Sequence, residues 1–460
     1  MPNKNFSTLA LAPAQLKNLT SLGYQQMTPI QEQSLPQILK RKDVIAQAKT
    51  GSGKTVAFGV GLLEKINPRF FGTQALILCP TRELADQVGK ELRKLARSVP
   101  NIKLVLLCGG KPFGPQVGSL EHGAHIIVGT PGRIQDHLKK RTMKLDQLKT
   151  LVLDEADRML DMGFSDVMAD IIQQTPKSRQ TLLFSATYPD EIKQMCRSIQ
   201  RDPVTITVES NHQESVIEQL FYEVKRHERK PTLLGLFEHY QPKTAVVFCH
   251  TKAQCAEMAD FLCENDIESL AIHGDLDQRE RDQVLVRFAN NSCSVLVATD
   301  VAARGLDIKS LEMVINYELP RDPEIYVHRI GRTGRAGEKG LAMSLFTESE
   351  QVRINAIEQY QNKPCIIDSP QSLDRDSQFK LYPPMVTIQI DGGRKDKVRP
   401  GDILGALTGD AGLQGSQIGK IDIFDRSSYV ALEHDIARQA LNYLADGKVK
   451  GRPAKARKVR

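Results

Sequence analysis

Ala48-Lys49-Thr50-Gly51-Ser52-Gly53-Lys54-Thr55 is the stretch that decides the fold. It follows a short apolar segment (Val44, Ile45, Ala46) and precedes a run that reads as helix (Val56, Ala57, Phe58, Val60, Leu62, Leu63). A glycine-rich turn between strand and helix aims backbone N–H groups and the helix N-terminus at one point, which suits a polyphosphate. Lys54 has the reach for the outer phosphates, and the Thr55 hydroxyl can sit on Mg2+. Such loops usually open with Gly, and Ala48 stands in that place. A glycine turn that only caps a helix is the alternative, but strand, loop, Lys-Thr pair and helix all agree on a phosphate site.

Around that loop the chain reads as α/β. Through residue 205, short apolar runs alternate with amphipathic helices, the signature of a parallel sheet covered on both faces. Strands are expected at Val44–Ala46, Ala75–Cys79, Lys103–Leu107, His125–Val128, Leu151–Leu153 and Thr181–Phe184, with helices at Glu83–Val99 and Asp190–Ile199. The chain then echoes itself. Ala75-Leu-Ile-Leu-Cys-Pro-Thr81 matches Ala245-Val-Val-Phe-Cys-His-Thr251, and Ile126-Ile-Val-Gly-Thr130 matches Val295-Leu-Val-Ala-Thr299 at nearly the same offset. Two tandem copies of one parallel-sheet α/β unit explain this, and only the first carries a phosphate loop. The expected layout is a first domain over 1–208, a polar hinge over 209–214, a second domain over 215–366 and a polar linker over 367–383. A C-terminal unit at 384–460 completes it. That unit reads as strand (Val386–Ile390), helix (Pro400–Leu407), strands (Lys420–Phe424, Tyr429–Leu432), helix (His434–Leu444) and a basic tail, an order that, with a possible last strand, is like that of an RNA-recognition motif.

Composition narrows the class. The 460 residues carry 62 basic and 55 acidic side chains, and the excess of seven equals the Lys and Arg of the acid-free tail (448, 450, 452, 455, 457, 458, 460). Such an end suits either a nucleic-acid arm or a solvated terminus. No apolar run approaches the about 18 residues of a membrane span, and the N-terminus has no signal layout. Eight scattered Cys without a C-x-x-C pair argue against zinc and for reduced thiols in a cytoplasm.

Two further clusters carry chemistry. Asp154-Glu155-Ala156-Asp157 follows an apolar strand, so Asp154 is placed to hold Mg2+ and Glu155 to activate water. In the second copy, His328-Arg329-Ile330-Gly331-Arg332-Thr333-Gly334-Arg335 offers Arg332 and Arg335 as arginine fingers for a transferring phosphoryl group, with Lys54 completing the catalytic set.

Taken in order, these motifs resemble those of a DEAD-box RNA helicase over about residues 1–365, which implies that both α/β units are RecA-like. The resemblance implies that Gln31, in Gly23-Tyr-Gln-Gln-Met-Thr-Pro-Ile-Gln31, reads adenine beside Phe6, and that Ala48, Thr50, Gly51, Ser52, Gly53, Lys54 and Thr55 hold ATP and Mg2+. In the second lobe it places Gly305 and Asp307 against the nucleotide. It gives Thr81, Arg82, Gly110, Thr130 and Arg133 of the first lobe to RNA, with Thr251, Gly274, Gln278, Arg281 and Thr299 of the second. Ser185 and Thr187, with Asp157, would couple ATP state to unwinding. These are phosphate and sugar ligands without a sequence code, although a Thr after a strand equally suits a helix cap.

Specificity must then come from the C-terminal unit. Gly419-Lys-Ile-Asp-Ile-Phe-Asp425 and the residues after it resemble the bacterial ribosomal-RNA-specific branch of that family. This implies a 23S ribosomal RNA hairpin as target and large-subunit precursor particles as partners. The sheet positions that stack bases in a typical RNA-recognition motif hold Thr387 and Ser427, leaving Tyr429 as the aromatic. Arg394, Lys395, Lys397 and Arg399 are the expected phosphate grips. An ATP-gated clamp without strand separation, or a DNA helicase, would use the same core.

Overall fold

A computed structural model describes residues 4–48, 51–188, 190–208, 217–303, 311–334, 339–376, 378–446, 448–449, 452–453 and 455–459. The chain folds as two compact units that part between residues 213 and 214; the expected hinge lies outside the described residues.

The first unit is a seven-stranded parallel sheet. Its strands are β1 (Val44–Gln47), β2 (Ala75–Leu78), β3 (Leu104–Leu107), β4 (Ile126–Gly129), β5 (Thr150–Asp154), β6 (Gln180–Ser185) and β7 (Val204–Thr207), ordered β3-β4-β2-β5-β6-β1-β7. The central strands are buried on both faces, as their unbroken apolar runs require: Leu76, Ile77, Leu78, Val152 and Leu153 are fully covered. Helices on the two sides make separate cores, one with Phe58, Val88 and Leu92, the other with Ile134, Met159 and Ile171. The expected helix over 83–99 is Arg82–Leu95 followed by a 3-10 turn, Ala96–Ser98. β7 was not anticipated, because Val204–Thr207 is half exposed and gives no apolar run.

In the second unit the sheet comprises β8 (Ile217–Glu223), β9 (Ala245–Cys249), β10 (Ser269–Ile272), β11 (Val295–Thr299), β12 (Met313–Asn316), β13 (Gly340–Phe346) and β14 (Ile366–Asp368). Its order is β10-β11-β9-β12-β13-β8-β14. Counted from its own first strand, this is the strand order of the first sheet. The internal echo is therefore a duplicated fold, with β2 matching β9 and β4 matching β11. After β1 comes the glycine loop; after β8 come Val224, Lys225 and the 3-10 turn Arg226–Glu228.

The same unit carries a four-stranded antiparallel sheet of β15 (Met385–Asp391), β16 (Ile418–Ile423), β17 (Ser427–Glu433) and, at the chain end, β20 (Ala456–Lys458). A small hairpin of β18 (Lys448–Val449) and β19 (Arg452–Pro453) precedes β20. One face packs on the helices Pro400–Gly405 and His434–Asp446 around Ile388, Ile403, Leu407, Val430 and Leu444.

Two stretches are packed more firmly than their polarity suggests. Among its described residues the tail supplies the possible last strand: residues 456–458 pair with Ile388–Ile390 as an edge strand, and Val459 is buried. The linker is not a free spacer. β14 pairs with β8, Leu373 and Leu381 are buried in the second lobe's core, and Arg375 forms an ion pair with Glu238. A polar stretch looks like a spacer in sequence, yet its few apolar residues anchor it. No helix among the described residues is long and apolar enough to cross a membrane, and all eight cysteines are free thiols.

Candidate nucleotide and RNA sites

The carboxyl ends of the strands carry the site. β1 runs into the glycine loop, where Gly51 and Gly53 hold φ of +85° and +93°, values that favour glycine, and Gly53 opens the helix Lys54–Leu63. Lys54 is buried and its Nζ donates to the Ala48 carbonyl at 2.8 Å. The helix Pro29–Leu39 braces the loop from behind. Gln31 accepts from the Thr28 N–H (2.9 Å) and donates to the Gly53 carbonyl (3.1 Å), while the Thr28 hydroxyl donates to the Ser52 carbonyl at 2.7 Å. A Cβ on Gly53 would fall 2.4 Å from Gln31 Nε2. Gln31 is thus a strut of the phosphate loop, a role its motif did not announce. Phe6 is buried in the same core. Thr55 and Ser52 are half-buried and Gly51 is exposed; Thr50 lies outside the described residues.

Asp154 ends β5, and Glu155 follows in the left-handed region (φ +53°), the bend that starts the helix Ala156–Asp161. Both carboxylates are buried. Burial pushes Asp154 up to about 7, against the pull of Lys54 and with further upward push from Glu155 and Asp157. Glu155 Oε2 accepts from Arg158 Nη1 at 2.8 Å, a pair buried on both sides. Asp157 behaves oppositely to Asp154. Burial works against its charge, but the Thr187 N–H, Lys54, the Ser185 hydroxyl and the Arg158 N–H together hold it below the usual carboxylate range. Its Oδ2 accepts from Ala186 N (3.1 Å), Thr187 N (3.0 Å) and Thr187 Oγ1 (3.0 Å), and Ser185 Oγ accepts from Asp157 N at 3.3 Å. The expected coupling residues are therefore hydrogen-bonded directly to the acidic motif.

The RNA residues expected in the first lobe gather at the neighbouring ends of β2, β3 and β4. Thr81 caps the helix Arg82–Leu95, accepting from Leu84 N at 3.3 Å. Arg82 lies across Gly110, where a Cβ would meet Nη1 at 1.9 Å; the glycine pair makes room for a guanidinium. Arg133 donates to the Lys111 carbonyl at 3.0 Å, and Thr130 starts the helix Pro131–Lys139 without a side-chain cap bond.

The second lobe repeats the pattern. Thr251 caps the helix Lys252–Glu264 (Gln254 N, 3.2 Å), and Thr299 ends β11. Gly274 is exposed ahead of the helix Gln278–Ala289, in which Gln278 donates to Asp282 at 2.8 Å and Arg281 to the Ala302 carbonyl at 3.5 Å. Arg332 is buried beyond the helix Pro323–Ile330. Gly305, Asp307 and Arg335 lie outside the described residues. Sequence reasoning quoted Arg329 without giving it a role. Its guanidinium is buried and bidentate to Asp300 (2.6 and 2.8 Å), and it also donates to Asn316 Oδ1 (2.9 Å) and the Glu318 carbonyl (2.8 Å).

In the C-terminal sheet, Arg394, Lys395 and Lys397 sit exposed on the turn after β15, with Lys397 left-handed at φ +61°. Stacking on this sheet face was expected to be weak, and Tyr429, the candidate aromatic for RNA, is covered. It is 4% exposed, closed in by Val286, Val459 and the edge of Phe424, so no ring face is presented to RNA.

Comparison with known proteins agrees with this geometry. Residues 28–195 match the DEAD/DEAH box helicase family, 228–337 the helicase conserved C-terminal domain, and 387–458 the DbpA RNA binding domain. The chain is 55% identical over 453 residues to the ATP-dependent RNA helicase DbpA of Escherichia coli (strain K12), covering 98% of this chain and 99% of that protein. It is 44% identical over 355 residues to the DEAD-box ATP-dependent RNA helicase CshA of Bacillus subtilis (strain 168), over 77% of this chain and 72% of that one. Among solved structures, S. cerevisiae Dbp5 bound to RNA and ADP BeF3 superposes with a TM-score of 0.72 at 33% identity, over 80% of this chain and 96% of that one. The chain belongs to the DEAD-box ATP-dependent RNA helicases, enzymes that hydrolyse ATP on RNA, and among them to the DbpA type.

Proposed function

We propose that this helicase separates short RNA duplexes beside a 23S ribosomal RNA hairpin gripped by its C-terminal domain, acting in the cytoplasm on precursors of the large ribosomal subunit. What supports this is the third domain, a DbpA-type RNA-binding fold attached to a core whose proposed RNA residues are hydroxyl, glycine and arginine groups suited to phosphate. Holding one RNA site raises the local concentration of neighbouring duplexes for a core indifferent to sequence.

The residues divide the work of hydrolysis. Lys54 and the loop amides take the β- and γ-phosphates of ATP, while Gln31 and Phe6 meet the adenine side. Glu155 orients the attacking water and receives its proton. Arg332 and Arg335 answer the charge developed on the γ-phosphoryl group when ATP and RNA draw the lobes together. Asp154 and Thr55 are oxygen ligands of the kind Mg2+ takes, and a buried carboxylate raised to about 7 is short of the positive charge a divalent cation supplies. Mg2+ there would neutralise phosphate charge. Asp157, tied to Ser185 and Thr187, carries the state of the site to the RNA edge.

ATPase rates against a panel of large-subunit ribosomal RNA fragments, polyuridylic acid and duplex DNA test the target. The reading requires one ribosomal fragment to stimulate turnover well above polyuridylic acid; equal stimulation by all RNAs refutes it. Strand displacement on a short duplex flanking that fragment separates unwinding from clamping.

A further inference from the structure

One buried histidine outside the motifs ties together the edge of the first lobe that carries Gly110 and Arg133. β3 runs out through Cys108 into Gly109, Gly110, Lys111 and Pro112, and Phe113 opens the helix Phe113–Leu120. The helix Pro131–Lys139 holds this turn along its length. Arg133 reaches the Lys111 carbonyl. The His137 ring stacks on Phe113, with centroids 4.3 Å apart and planes at 21°. His137 Nε2 lies 3.3 Å from Gln116 Oε1, and Gln116 Nε2 donates to the Cys108 carbonyl at 2.9 Å. His137 is fully covered and Gln116 is buried.

The protons on this ring follow by elimination. The Cys108 carbonyl can only accept, so the amide nitrogen of Gln116 faces it and the amide oxygen faces the imidazole. That oxygen also only accepts, so Nε2 carries a proton. Nδ1 lies 2.7 Å from the Thr142 hydroxyl. Burial, then the Arg133 guanidinium, hold the imidazole down to about 4, with Asp136 pulling upward and Lys140 downward. The ring is therefore neutral at neutral pH, and Nδ1 accepts from Thr142. The His137 carbonyl does not need that hydroxyl, because the Thr142 N–H already donates to it at 3.0 Å. Donors run one way, from Thr142 to His137 to Gln116 to Cys108, and each link orients the next. Gly110 sits just beyond Cys108 in the chain, and Arg133 lies one helical turn before His137. The chain of hydrogen bonds thus joins two RNA groups carried on different segments.

We propose that His137 is a positioning residue for RNA. Its single tautomer fixes the Gly110 turn relative to Arg133, so both are in place before RNA arrives and RNA need not order them. This rests on the reading that Gly110 and Arg133 contact RNA.

His137→Phe in the full chain tests it, since the ring still stacks on Phe113 while both of its hydrogen bonds are cut. The polyuridylic acid concentration that gives half-maximal ATPase stimulation is expected to rise about tenfold, with the KM for ATP within about twofold of wild type. An unchanged half-maximal concentration overturns the proposal. Adding Gln116→Leu separates position from packing, because an apolar partner relieves the unpaired amide. In that double variant the melting midpoint should return toward wild type while the RNA response stays weak; recovery of both means packing alone and overturns the proposal. Nitrogen-15 shifts of His137 in the wild type should report a neutral ring protonated at Nε2 between about pH 6 and 8. The other tautomer, or titration in that range, overturns it as well. Arg133→Ala tests the underlying reading: a wild-type response to polyuridylic acid in that variant removes this edge from RNA binding, and the proposal with it. A weakened Arg133→Ala beside an unaffected His137→Phe strikes the proposal alone.

Discussion

Replacing Asp300 by alanine removes the carboxylate that neutralises Arg329, whose side chain is 2% exposed. A guanidinium so placed cannot rotate into water. Breaking a buried pair from one side costs about 3–5 kcal/mol. Two retained acceptors, Asn316 Oδ1 and the Glu318 carbonyl, and the partial exposure of Asp300 itself set the value at the lower end. About 3 kcal/mol corresponds to a fall of about 6–12 °C in the melting midpoint of a unit of this size. The chain has no Trp, so far-UV circular dichroism is the probe. The pair also ties the end of β11 to the helix Pro323–Ile330, so Thr299 and Arg332 lose their mutual placement. RNA-stimulated kcat is therefore expected to fall even at temperatures where the variant is folded. Arg329→Lys should rescue little, since an ammonium cannot make the two parallel bonds. A midpoint within about 2 °C of wild type would show that the buried pair is not what holds these motifs together.

Glu155→Gln should leave ATP affinity unchanged and abolish turnover; nucleotide titration and phosphate release measure the two, and wild-type hydrolysis in that variant would refute the assignment of Glu155. Gly53→Ala forces a side chain into a left-handed turn and onto Gln31, costing about 1 kcal/mol or more and weakening ATP binding; nucleotide titration measures the loss, and wild-type affinity would show that the loop absorbs the side chain. Asp154 lies near 7 against an ordinary 3.8. Its contribution to stability is therefore fully present below about 3.8 and lost as pH rises through about 7. The midpoint of wild type relative to Asp154→Asn should fall across neutrality, while Mg2+ affinity, which competes with the proton, rises by up to about tenfold per pH unit below 7; two flat profiles would mean Asp154 is already ionised there.

How far the sequence could be read follows from the range of the interactions involved. The two sheets were legible because a buried parallel strand is a local pattern, four or five apolar residues between turns. Their kinship was legible because the repeated strands run into the same Thr, at 81 and 251 and at 130 and 299. The glycine loop and the acidic tetrapeptide were legible because their chemistry lies in consecutive residues. Gln31 as a strut and Asp300 as the partner of Arg329 depend on residues far apart in the chain and leave no local trace, and the possible last strand is placed at 456–458 only by its pairing with Ile388–Ile390. β15 is the instructive case. Its alternation of Val386, Ile388 and Ile390 with Thr387 and Gln389 reads as a strand with one face in water. Both faces are buried, because the second lobe meets the polar face with Asn290, Ser292 and Gln283. Alternation reports the polarity of what a strand touches, and another domain's amides and hydroxyls look the same as solvent. The lack of aromatic residues at Thr387 and Ser427 then has a physical reason: a base platform needs an open face, and this one is closed by the helix that carries Gln278 and Arg281.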